Sequence, residues 1–142
     1  QVSATLLLKT IDKIKSGSIR ARPQDERNVI TIPKLSKDMG KIDWRHPANH
    51  IHNLIRGANP WPGTYTLYAG EILKIHSATL TDRYFRGKAG RIFAVSSKGI
   101  EVETPKGRLL LTEVQKPNKR KMSASEFLKG YPITKGSFFS EP

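Results

Sequence analysis

The chain contains no cysteine. That excludes disulfides, thiolate zinc sites and cysteine nucleophiles together, and it fits a reducing compartment. There is no run of about 18 apolar residues, so nothing reads as a membrane-spanning helix. The opening stretch Gln1–Leu8 is apolar but has neither a basic leader nor a cleavage motif, and no secretory signal is expected. No Gly-rich phosphate loop is present. Arg86-Gly87-Lys88-Ala89-Gly90-Arg91 combines glycine with basic residues but lacks the spacing and the Lys-Ser/Thr ending of such a loop. No serine sits in a nucleophile elbow, and no internal repeat or low-complexity run occurs. Acidic residues are also scarce: 12 Asp and Glu stand against 25 Lys and Arg.

That imbalance is the main compositional signal. A formal net charge of +13 implies a polyanionic partner, because Lys and Arg release counterions condensed on a phosphate backbone. A length of 142 residues suffices for one domain with a core of its own and an attached segment.

Along the chain, Leu7, Leu8, Ile11 and Ile14 form a helical stripe over Thr5–Ser16, stopped at Gly17. A lone helix of this length is marginal in water and is expected to dock on something. Residues 18–41 hold few apolar side chains, two prolines and mixed charge, and read as a semi-rigid linker. Pro47 suits the first turn of a short helix whose Ile51, Leu54 and Ile55 share a face, with Gly57 expected to end it in the left-handed conformation. Asn59-Pro60-Trp61-Pro62-Gly63 cannot continue that helix.

The period then changes. Strands are expected at Thr64–Tyr68, Glu71–Ala78, Gly90–Val95, Gly99–Thr104 and Arg108–Val114, separated by short turns. Five such strands with short flanking helices fit a mainly β fold, a small OB-like barrel. Ser123-Ala124-Ser125-Glu126 reads as a capping box opening a last helix that Gly130 closes.

His46 and His50 have a spacing that metal ligands use, but no third ligand of the usual kind is near, so no metal site is expected. His52 and His76 read as packed or hydrogen-bonded. Glu101 and Glu103 share a strand face, with solvent as the expected partner. Arg83, Arg86, Lys88 and Arg91 gather in one loop around Tyr84 and Phe85. Lys116, Lys119, Arg120 and Lys121 form a second cluster, and Lys34, Lys37 and Lys41 close the linker. Loops of this kind flank the groove of an OB barrel, where cations track a backbone and aromatic rings stack on bases. These eleven side chains are the candidate RNA contacts.

Ile42-Asp43-Trp44, Asn53-Leu54-Ile55-Arg56-Gly57 and Asn59-Pro60-Trp61-Pro62-Gly63 resemble the opening of the C-terminal domain of the methionyl-tRNA formyltransferase family. Pro33-Lys34-Leu35-Ser36-Lys37 and the run Arg120–Gly130 extend the match in the same order and spacing. Arg45-His46 departs from the small and basic pair expected after the tryptophan. The resemblance independently implies the OB-like barrel, over residues 42–142. It also implies that 1–17 is the last helix of a truncated formyltransferase domain and that 18–41 is the interdomain linker. The implied activity of the whole enzyme is transfer of a formyl group from 10-formyltetrahydrofolate to the methionine amino group of initiator methionyl-tRNA. The asparagine, histidine and aspartate that perform it, and the folate site, would lie in the N-terminal domain. This chain would bind no cofactor, have no activity alone, and partner that domain and the tRNA. It would be cytoplasmic and monomeric, free of any membrane. A relative with a non-RNA substrate and a free-standing RNA-binding barrel are the alternatives.

Overall fold

The computed structural model describes residues 2–139, which divide into two compact units between Pro33 and Lys34. In the first unit, helix α1 (Val2–Lys15) starts earlier than its apolar stripe suggested and buries no side chain. Leu6, Leu7, Leu8 and Ile14 are all exposed. Gly17 follows with φ +67°, where only glycine avoids strain. Val29–Ile32 forms no strand; the nearest element is a single 3-10 turn, Glu26–Asn28, capped by the Asp25 side chain.

The second unit opens with a 3-10 turn, Lys37–Gly40, and Lys41 then bridges Tyr65 in parallel. Gly40 lies so close to the carbonyl of Gly63 that a Cβ would sit 2.0 Å from that oxygen. Helix α2 (Ala48–Gly57) begins after Pro47 and buries Ala48, Ile51 and Ile55. Gly57 stays within the helix, and Ala58 ends it in the right-handed region by donating its N–H to Leu54. The left-handed residue comes later, at Gly63 (φ +77°), whose N–H returns to the Ala58 carbonyl. Between them the Asn59–Pro60 and Trp61–Pro62 bonds are cis.

Strands β1 (Thr64–Tyr68), β2 (Glu71–Asp82), β3 (Ile92–Ser96), β4 (Gly99–Glu103), β5 (Arg108–Gln115) and the two-residue β6 (Met122–Ser123) form one antiparallel sheet. Its order is β1-β2-β5-β4-β3, with β6 on β5. The β1–β2 hairpin turns at Ala69-Gly70, both at positive φ, the geometry that follows the right-handed twist of the strands. β2 runs four residues past its expected end, through bulges near Ser77 and Leu80. Helix α3 (Ala124–Gly130) is capped by Ser123, whose hydroxyl accepts the Glu126 N–H at 3.1 Å, while the Glu126 carboxylate pairs with Arg120.

The mainly β architecture with short flanking helices is therefore as expected, but the sheet is open. β1 and β3 end the strand path and share no ladder among the described residues. Side chains span the gap instead. Phe138 bridges Arg91 beside β3, which seats Phe139 against Trp44 with ring centroids 5.6 Å apart. Trp44 also donates its indole N–H to Thr66 Oγ1 on β1 at 2.9 Å. Around this contact Ile42, Ile75, Ile100, Leu109, Leu111 and Val114 complete a core removed from water.

Candidate nucleic-acid interface

The loop after β2 owes its shape to charge buried beneath it. Asp82, the last residue of β2, accepts the N–H groups of Tyr84 and Phe85 at 2.9 and 3.0 Å, which turns the chain sharply. The rings of Phe85 and Phe93 then both pack against the Arg108 guanidinium, with centroids 4.2 and 4.1 Å from its central carbon. Glu103 is only 2% exposed. Its carboxylate accepts the Lys88 N–H at 3.0 Å and pairs with Arg91 at 3.3 Å. Solvent is thus not its partner: Glu103 anchors the loop. Gly87 permits the close approach, since a Cβ there would lie 2.8 Å from the Cβ of Glu103. Glu101 also faces protein, accepting from Thr81 and lying 3.6 Å from Arg108.

The backbone N–H groups of Tyr84 and Phe85, and less strongly Arg108, hold the Asp82 carboxyl below the usual carboxylate range. A lowered folded-state pKa means that its contribution is present at neutral pH and fades as acid protonates it in the folded state. Asp82→Asn should speed amide exchange at Tyr84 and Phe85 at pH 7. The wild-type loop should show the same loosening when acidified through that lowered pKa. Unchanged exchange in both cases would detach the loop from Asp82.

With the loop so fixed, the candidate cations separate into two kinds. Arg83, Arg86 and Lys88 are exposed and have no ion-pair partner among the described residues. Arg91 is committed to Glu103. In the second cluster Lys116 pairs with Glu71 and lies 4.4 Å from the Tyr131 ring centre, Arg120 pairs with Glu126, and Lys121 pairs with Glu113 at 3.0 Å. Lys119 is exposed, and its backbone carbonyl accepts a hydrogen bond from the Gln115 side-chain amide at 2.7 Å. Lys34, Lys37 and Lys41 are exposed at the start of the second unit.

The two clusters do not meet. Lys74 pairs with Gln115 at one end of the β2–β5 ladder and Asp82 with Arg108 at the other. At the usual rise per residue, up to about 25 Å of strand separates them. The loop 83–91 is joined instead by Lys106, a cation that the sequence left inside a turn. Arg83, Tyr84 and Lys106 line a cleft of about 320 Å³ with Asn49 at the start of α2. The Lys106 carbonyl receives the Ala48 N–H at 2.9 Å, which holds the helix to that turn. The aromatic pair divides its tasks: Phe85 is an anchor, whereas Tyr84 is 90% exposed and free to stack.

His46 and His50 meet edge to face with centroids 4.5 Å apart, and His76 hydrogen-bonds Gln115 at 2.8 Å. Among the described residues no group of three or more His, Asp or Glu side chains is placed to hold a metal ion. No described helix is long and apolar enough to cross a membrane.

A bulged antiparallel sheet with a pinned, cation-bearing loop beside a short helix defines a small β module presenting positive charge. The family described as "Formyl transferase, C-terminal domain" matches residues 34–132, and the chain belongs to that family. Methionyl-tRNA formyltransferase of Moorella thermoacetica is 46% identical over 136 residues, covering 96% of this chain and 44% of that protein. The namesake from Clostridium acetobutylicum is 42% identical over 133 residues, covering 94% and 43%. The chain thus spans less than half the length of these relatives. Among solved structures, HypX from Aquifex aeolicus in complex with tetrahydrofolic acid superposes with a TM-score of 0.62 at 19% identity, over 96% of this chain and 26% of that one. At that identity the likeness concerns the fold.

Proposed function

We propose that this chain is the tRNA-holding part of a methionyl-tRNA formyltransferase. What carries the reading is the identity to proteins of that name along nearly the whole chain. The unpaired cations of the 83–91 loop and Lys106 supply a physical means. The whole enzyme would move a formyl group from 10-formyltetrahydrofolate to the methionine amino group of initiator tRNA, in the cytoplasm. Catalysis and folate binding would belong to the rest of that enzyme, and this chain would neither bind the folate nor turn over alone. Its share is positioning: contacts to phosphate and sugar far from the reacting amine hold the acceptor end where the reaction occurs.

Titrating the chain with initiator tRNA and with bulk elongator tRNA across a salt series tests this. Binding should fall steeply with salt and differ little between the two, since phosphate contacts carry no sequence information. Absence of binding even at low salt would overturn the proposal.

A further inference from the structure

The cleft at Arg83 and Lys106 lies at the start of α2. A second cleft of about 290 Å³ lies further along the same helix, with His52, Arg56 and Asn59 on one wall and His76 and Ser77 of β2 on the other. Asn49, His52, Arg56 and Asn59 recur at spacings of three and four, so one face of α2 and its C-terminal extension lines both clefts. Each cleft is also walled by β2, through Leu80 in the first and His76, Ser77 and Ala78 in the second. Neither cleft has an Asp or Glu in its lining, and Arg56, Arg83 and Lys106 form no side-chain ion pair among the described residues. From Asn49 to Arg56 the helix rises about 10 Å, the scale of one short run of backbone.

We propose that the two clefts form one groove that seats a ribose–phosphate strand of RNA, with Arg83, Lys106 and Arg56 on phosphates and Asn49 and His52 hydrogen-bonded to 2′-hydroxyls. The inference rests on the RNA-binding reading above and adds to it both a track and a basis for choosing RNA over DNA. Cations on phosphates alone do not distinguish the two polymers, whereas an amide or imidazole beside the sugar does, because only RNA offers the 2′-hydroxyl as donor and acceptor. A groove with Arg and Lys at its stations and amide and imidazole side chains between them suits that alternation. The apolar cleft of about 230 Å³ beside Tyr131 and Phe127, on the far end of the sheet, has no such alternation.

The test uses the whole chain, a stem-loop RNA and its all-deoxy counterpart. Arg56→Glu with Lys106→Glu should weaken RNA binding at least several-fold and lower the log–log salt slope by about two, one per phosphate contact. Asn49→Ala should leave the salt slope unchanged and narrow the preference for RNA over DNA several-fold. Arg56, Lys106 and Asn49 are exposed, so each variant should fold, which circular dichroism checks. Unchanged affinity and slope in the double variant, with RNA still bound by the wild type, would overturn the groove while leaving RNA binding intact. A narrowed preference without loss of slope in the Asn49 variant supports it. Failure of the wild type to bind RNA at low salt would overturn the underlying reading, and the groove with it.

Discussion

Reversing Arg83, Arg86 and Lys88 together to glutamate should lower tRNA affinity on the order of a hundredfold at about 0.1 M salt and flatten its salt dependence by about three. The reason for the size is that these charges are uncommitted. They are exposed, and no acidic partner among the described residues offsets them. Reversing Lys116, Arg120 and Lys121 should cost much less, since Glu71, Glu126 and Glu113 already offset each of them. Arg91 does not belong in the first set. Its guanidinium pairs with a carboxylate that is only 3% exposed, so reversing it would leave that buried charge unpaired beside a second negative one and damage the loop rather than report on RNA. Filter binding or fluorescence anisotropy over a salt series measures both triple variants. Equal losses would mean that paired and unpaired cations contribute alike, and no loss in the first would remove the 83–91 loop from the interface.

The second large effect concerns stability. Trp44 is 3% exposed, stacks on the fully buried Phe139, and hydrogen-bonds Thr66. Trp44→Ala should destabilise the chain by about 3–5 kcal/mol, because a cavity of that size cannot refill across an unpaired sheet edge. That is a large share of the roughly 5–15 kcal/mol typical of a domain. Trp44→Phe keeps the ring against Phe139 and loses the indole donor, at about 1 kcal/mol. Urea unfolding followed by circular dichroism separates the two. A loss below about 1 kcal/mol for the alanine variant would show that the segment at Phe139 does not seal the edge.

Much of the fold was legible in the sequence because its punctuation is local. Ser123 before Glu126, Ala69-Gly70 between alternating runs, and Pro60 and Pro62 after α2 each fix a boundary by the chemistry of adjacent residues. The candidate site was legible only as composition. Glu103 looks like any strand carboxylate until the loop of Lys88 and Arg91 folds over it, a contact 12 to 15 residues distant. Lys106 sits in a Pro-Lys-Gly turn that reads as solvent-facing, and only the pairing of β2 with β5 brings it beside Arg83. The same pairing sends the two basic clusters to opposite ends, which a count of cations cannot reveal. Gly57 misled because a glycine after an apolar stripe signals a helix end, whereas here the Ala58 N–H continues the ladder by one residue.

The Trp44–Phe139 stack also bears on how fast and in what order the second unit assembles. Nearly all of its sheet lies between these two rings in sequence. Loop-closure entropy grows with the logarithm of the intervening length, and long-range contacts of this kind slow folding most. The hairpins β1–β2 and β3–β4 need close only a two-residue turn each, so they can form before the seam does. The indole of Trp44 would then stay wet until the last step. Trp61 is 53% exposed and stays in water throughout, so with Trp61 replaced by phenylalanine the remaining tryptophan becomes a clock for completion of the fold.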